Sequence, residues 1–123
     1  MPYSMDASQP LYEIKANLFK ALAHPARIRV LEILSADAGP TPVSEILAET
    51  ALEASLLSQH LAVLKRHGVV RHQREGNAVH YELAHPAVAE LLRVARTFLA
   101  ESLAAHRDQL EKLDGLPPIG SAG

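Results

Sequence analysis

Two serines, a glutamine and a run of cations recur at spacings that could read a nucleic acid, all within SLLSQHLAVLKRHGVVRHQREGNAVHYEL, residues 55–83. On a helical wheel Leu57, Leu61 and Leu64 are separated by four and three and form one apolar stripe. Ser55, Ser58, Gln59, Ala62, Lys65 and Arg66 fall on the other side. Serine and glutamine can hydrogen-bond base edges, glutamine pairing well with adenine. Lys65 and Arg66 suit phosphate oxygens. Any solvated amphipathic helix could show this stripe, so the neighbouring elements decide its meaning.

Those neighbours form a pattern. Gly68 is expected to stop the helix in a left-handed conformation, and a basic hairpin follows. With Gly76-Asn77 as a two-residue turn, Glu75 faces Ala78, Arg74 faces Val79 and His72 faces Tyr81. Val70, Val79, Tyr81 and Leu83 then share one face of the hairpin; Arg71, Gln73, His80 and Glu82 share the other. Arg71, Gln73, Arg74, Asn77 and His80 become candidates for contact with phosphate or the minor groove. Upstream, Thr41-Pro42 has the chemistry of a helix start, a hydroxyl cap followed by proline. The short helix VSEILAET and a turn at 51–54 then complete a helix-turn-helix spacing.

Two more helices precede these. One runs from Pro10 to near His24, with Leu11, Ile14, Leu18 and Leu22 on one stripe; Pro25 opens the next, PARIRVLEILS. The last element is the longest. From Pro86 to about Leu113, residues such as Leu91, Leu92, Leu99 and Leu103 recur at helical spacing. About 28 residues make a helix about 42 Å long, too long for so small a domain to cover, so a second copy of the chain is the simplest cover. Residues 1–9 and 114–123 are expected to lack fixed structure, leaving 10–113 as one domain.

The totals agree with one small domain. The chain has 123 residues, 48% of them hydrophobic but only 4% aromatic, so its core must be mostly aliphatic. It has no cysteine, which excludes disulfides and thiolate metal sites. The formal charge is −2. Between Ser55 and His80, however, Lys65, Arg66, Arg71 and Arg74 stand against Glu75 alone, a net +3 that leaves −5 for the remainder. A local basic patch attracts phosphate without making the whole protein a polycation. No apolar run reaches the length that spans a bilayer, and MPYSMDASQ does not read as a secretory signal. A soluble cytoplasmic protein is expected.

LFKALAHPARIRVLEIL (18–34) followed by the 55–83 stretch resembles the ArsR/SmtB family of bacterial winged-helix repressors, over about residues 11–103. The resemblance implies a mainly α fold with a small β-hairpin, in the order α-α-α-α-β-β-α. It implies a homodimer formed through the first and last helices, with Leu11, Ile14, Leu18, Leu91, Leu92, Leu99 and Leu103 at the interface. It also implies binding to promoter DNA at inverted-repeat half-sites. The family's recognition residues fall on Ser55, Ser58 and Gln59, and its wing on 71–80.

Many members of the family release DNA on binding a metal, and here the chain departs from the pattern. The positions of the common Asp/His site hold His85, Ala87, Phe98 and Glu101, of which only Glu101 matches in type. None of the seven histidines has the i,i+4 spacing of a helical chelate. They are read instead as surface, capping or phosphate-contacting groups, and no metal or other cofactor is predicted. A divalent ion such as Zn²⁺ or Ni²⁺ would have to use His106 with its symmetry mate, or His85 with Glu90. The functions in competition are a dimeric transcriptional regulator, a winged-helix module for protein contacts, and a metal-sensing regulator. An enzyme is not expected, since no phosphate loop, nucleophile triad or hydrolase motif is present.

Overall fold

The computed structural model describes residues 8–37 and 39–114, and the chain divides into two units, one running through Ala89 and one from Glu90. In chain order the elements are α1 (Leu11–Leu22), α2 (Pro25–Ala36), β1 (Thr41–Pro42), α3 (Val43–Thr50), α4 (Ala54–Arg66), β2 (Val70–Glu75), β3 (Ala78–Leu83) and α5 (Pro86–Asp114). Of the segments expected to lack structure, residues 1–7 and 115–123 lie outside the described residues, while Asp114 is the last residue of α5. The fold is mainly helical with one small sheet, as the sequence predicts.

Proline and histidine start two of the helices in the same way. His24 precedes Pro25, and its Nδ1 accepts the backbone N–H of Ala26 at 3.0 Å. His85 precedes Pro86 and accepts from Ala87 at the same distance. Each imidazole takes one of the N–H groups that a helix start leaves without a partner. The end of α4 is as predicted: Gly68 has φ +72. The N–H of Gly68 donates to Lys65 O and that of Val69 to Leu64 O, the paired bonds of a Schellman cap.

The sheet corrects one expectation. Thr41 and Pro42 do not start α3. They form a third strand, antiparallel to β3, with Thr41 opposite Tyr81 and Pro42 opposite His80. The helix begins one residue later, at Val43, without a side-chain cap. Thr41 is fully buried, and its hydroxyl donates to the carboxylate of Asp37 instead of capping α3. The sheet order is therefore β1-β3-β2.

The core of the first unit lies where α2 meets α3, α4 and the sheet. Val30, Leu31, Ile33 and Leu34 of α2 are buried together with Ile46, Leu57, Leu61, Leu64, Val69 and Val70. Each fully buried aliphatic side chain contributes about 1.5–3 kcal/mol relative to exposure. The turn between α3 and α4 carries the strain: Ala51 is left-handed at φ +55, and its N–H donates to Leu47 O. A non-glycine residue there costs about 1 kcal/mol, which the packing on either side must offset.

Candidate nucleic-acid interface

Helix α4 is divided lengthwise. Leu57, Leu61 and Leu64 face inward and are at most 2% exposed. Ser55, Ser58, Gln59, Ala62, Lys65 and Arg66 are all exposed, so the structure brings the six together on one outer face. The two cations occupy the last turn, where they also complement the negative end of the helix dipole. Ser55 is partly committed, because its hydroxyl donates to Glu53 Oε1 at 2.8 Å. Ser58 and Gln59 form no side-chain hydrogen bond among the described residues, so their polar groups are available to a ligand.

The hairpin stands beside this face in the register read from the sequence: Glu75 opposite Ala78, Arg74 opposite Val79, His72 opposite Tyr81. Its turn has Gly76 at φ +60 with Asn77 outside the positive region, the arrangement of a type II′ turn. Burial departs from the expected alternation. Only Val70 of β2 is buried, and β3 is half-buried from Val79 to Leu83. β2 therefore leaves the core after Val70, β3 stays half-buried beside β1, and the turn end of the hairpin projects as a wing. The His72 ring stacks on that of Tyr81 at 5.5 Å, and burial raises the Tyr81 hydroxyl above its usual pKa of 10.0.

The wing candidates differ in availability. Arg71, Gln73, Arg74 and Asn77 are exposed. Arg71 is held by an ion pair, its Nε lying 2.7 Å from Glu82 Oε1, whereas Arg74 has no ion pair among the described residues. His80 is half-buried, and its Nδ1 is enclosed without a partner among the described residues, so only its other ring nitrogen could reach a ligand. Ser58 of α4 and Asn77 of the wing line one groove of 530 Å³ with Val43, Ser44 and Tyr81. Reading helix and wing thus border a common concave surface.

The structure corrects the expectation for one histidine. His60 is neither a surface, capping nor phosphate-contacting group: it is 6% exposed and receives a hydrogen bond from Arg27. The signal was present, because position 60 completes the 57/60/61/64 spacing of the inner face. Among the described residues no group of three or more His, Asp or Glu could hold a metal ion. His85 is occupied as a helix cap, Glu90 pairs with Arg93 at 2.8 Å, and His106 is exposed on α5.

The outer faces of α1 and α5 are apolar. Leu11, Tyr12 and Phe19 of α1 are exposed, as are Val94, Phe98, Leu99, Leu103, Leu110 and Leu113 of α5. Of the remaining interface candidates, Ile14, Leu18, Leu91 and Leu92 are half-buried. No helix among the described residues is long and apolar enough to cross a membrane.

A family profile described as a helix-turn-helix domain matches residues 22–73. Rv0081 of Mycobacterium tuberculosis, an uncharacterised HTH-type transcriptional regulator, is 50% identical over 116 residues, 94% of this chain and 97% of its own. Its crystal structure superposes with a TM-score of 0.73 at 52% identity, over 80% of this chain and 98% of that one. The solution structure of Mb0332 from Mycobacterium bovis is described as a homodimeric winged helix-turn-helix DNA-binding domain, possibly ArsR-family. It matches with a TM-score of 0.70 at 30% identity, covering 82% of this chain and 96% of that one. The transcriptional repressor BigR from Xylella fastidiosa matches at 0.65 and 30% identity, over 71% and 87%.

Proposed function

This chain belongs to the ArsR/SmtB family of winged helix-turn-helix transcriptional regulators, and from that premise we propose how it acts. Two copies clasp through α1 and α5 and present two α4 helices to duplex DNA about one helical turn apart, roughly 34 Å, matching inverted half-sites. Ser58, Gln59 and Ala62 meet base edges in the major groove. Lys65, Arg66 and Arg74 neutralise phosphates, and Asn77 at the wing tip follows the backbone. The bound dimer represses by occupying promoter DNA in the cytoplasm. The proposal gives the chain no enzymatic role and no cofactor.

One observation carries this reading: α4 buries its leucine face completely and leaves a continuous polar and cationic face open beside a projecting wing. A helix exposed only to solvent would not require that juxtaposition. The test is titration of the full chain against promoter duplexes at several salt concentrations, with Zn²⁺, Ni²⁺ or EDTA present. Affinity should fall steeply with salt, because phosphate contacts release counterions, and should be the same in all three additions. Gln59→Ala should cost about 1–3 kcal/mol at one base position and relax preference there. If Gln59→Ala leaves every operator variant bound as before, the base-reading assignment is wrong. A metal-dependent isotherm would instead favour sensing through His85, Glu90 or His106.

A further inference from the structure

His60 sits on the buried side of the reading helix, among leucines, where a polar ring needs a reason. Its Nδ1 accepts a hydrogen bond from Arg27 Nε at 3.2 Å. The same guanidinium donates through Nη1 to the carbonyl of Ala21 at 2.9 Å, at the end of α1. The ring of His24, the cap of α2, lies 4.4 Å away, tilted by 47°. Arg27 therefore ties together the end of α1, the start of α2 and the inner face of α4. The tie fixes a tautomer as well. Because Nδ1 accepts, the proton of neutral His60 is on Nε2, and that atom is buried with no partner among the described residues.

We propose that Arg27 is a positioning residue for DNA reading, holding α4 against the α1–α2 junction through neutral His60, and that protonation of His60 releases the hold. This rests on the DNA-reading role proposed above. A protonated imidazole carries hydrogen on both nitrogens and offers Arg27 Nε no acceptor. It also sets a buried cation beside the half-buried guanidinium of Arg27, which the packing disfavours. Both effects push His60 away from Arg27. Since His60 shares α4 with Ser58 and Gln59, its displacement moves the base-reading face.

The charges around His60 act in one direction. Burial first, then His24, then Arg27 hold its pKa below the ordinary 6.5. The other elements packed on α4 contribute buried Ala21 and Leu22 of α1 and Val70 of β2, and no charged group of theirs is among those acting on it. The stabilisation from neutral His60 is complete above about pH 6.5 and shrinks as the pH falls, because the unfolded chain takes up the proton first. The loss levels off once the pH passes the lowered folded value.

The experiment measures preference, not bare affinity. A duplex enriched from a random pool by the full chain near pH ~7.5 is compared with its shuffled sequence, at that pH and near pH ~5.5, the range over which histidine titrates. The wild type should lose on the order of tenfold in preference on acidification. His60→Asn, whose side-chain oxygen can accept from Arg27 and does not titrate, should keep its preference at both. Arg27→Met keeps the aliphatic stem but has no donor for His60 or Ala21, so it should start with reduced preference and change little with acid. The proposal is overturned if His60→Asn retains the acid loss of the wild type or if Arg27→Met reads DNA like the wild type. An NMR titration of the wild type decides the matter if a variant misfolds. The amides of Ser58 and Gln59 should shift at the midpoint of the His60 ring; a ring that titrates while those amides stay still refutes the hold. If no duplex is enriched at all, DNA reading fails while the NMR result still judges the tie.

Discussion

Helices α4 and α5 carry the same kind of leucine stripe and meet opposite fates. In α4, Leu57, Leu61 and Leu64 vanish into the core and leave serine, glutamine and cations outside. In α5 the apolar residues themselves remain outside, Phe98 at 66% and Leu103 at 65% exposed. Contiguous exposed apolar surface of this kind marks a site of protein association. Exposed hydrogen-bonding groups backed by a rigid core suit a polar, charged ligand. α1 sides with α5 in this respect, through Leu11 and Phe19. The function proposed above assigns the two partners by the chemistry of what each region leaves uncovered: a second copy to the apolar helices, DNA to α4 and the wing.

The largest expected effect comes from giving α5 the surface chemistry of α4. Leu99→Glu with Leu103→Glu should leave the protomer folded, since both positions are already exposed, and abolish self-association in sedimentation. Specific DNA affinity should fall by about 10²–10⁴-fold, because two linked half-site contacts become one. A dimer that survives this double change would place the interface elsewhere and end the contrast between the helices. The converse change sharpens it. Leu64→Ala removes a fully buried side chain from α4 and should cost about 2–5 kcal/mol in chemical denaturation. Leu110→Ala, exposed on α5, should barely alter the denaturation of a dissociated protomer.

Much of this was legible because local chemistry decided it. Gly76-Asn77 set the centre of the hairpin, and every pairing outward from it followed. The stripe of α4 followed from the spacing of three leucines. What escaped depended on distant segments. Thr41-Pro42 has the right residues for a helix start, but β3 approaches and takes that backbone into the sheet. No property of two residues announces a strand. His60 escapes because its residue type argues for the surface while its position argues for the core; a polar ring on the inner face requires a donor, and that donor, Arg27, is 33 residues away. The tie between Arg71 and Glu82 was derivable, since the hairpin register sets those two opposite each other.

That tie supplies the smallest and most discriminating prediction. Arg71 and Arg74 are both exposed cations on β2, and by charge alone they are equivalent. Arg71 has a carboxylate at 2.7 Å, with its side chain 65% exposed and that of Glu82 26%. Such a surface pair is worth about 0–1 kcal/mol to folding, so its removal hardly matters for stability. For DNA it matters differently, because a phosphate must compete with Glu82 for Arg71, while Arg74 has no such competitor. Arg74→Ala should weaken binding to all sequences alike and reduce the salt slope by about 1. Arg71→Ala should reduce it by less, and Glu82→Gln, which frees Arg71, should steepen it. Equal flattening by the two arginine changes would mean that the ion pair opens on the duplex, and that exposure rather than pairing selects the phosphate-binding cations of the wing.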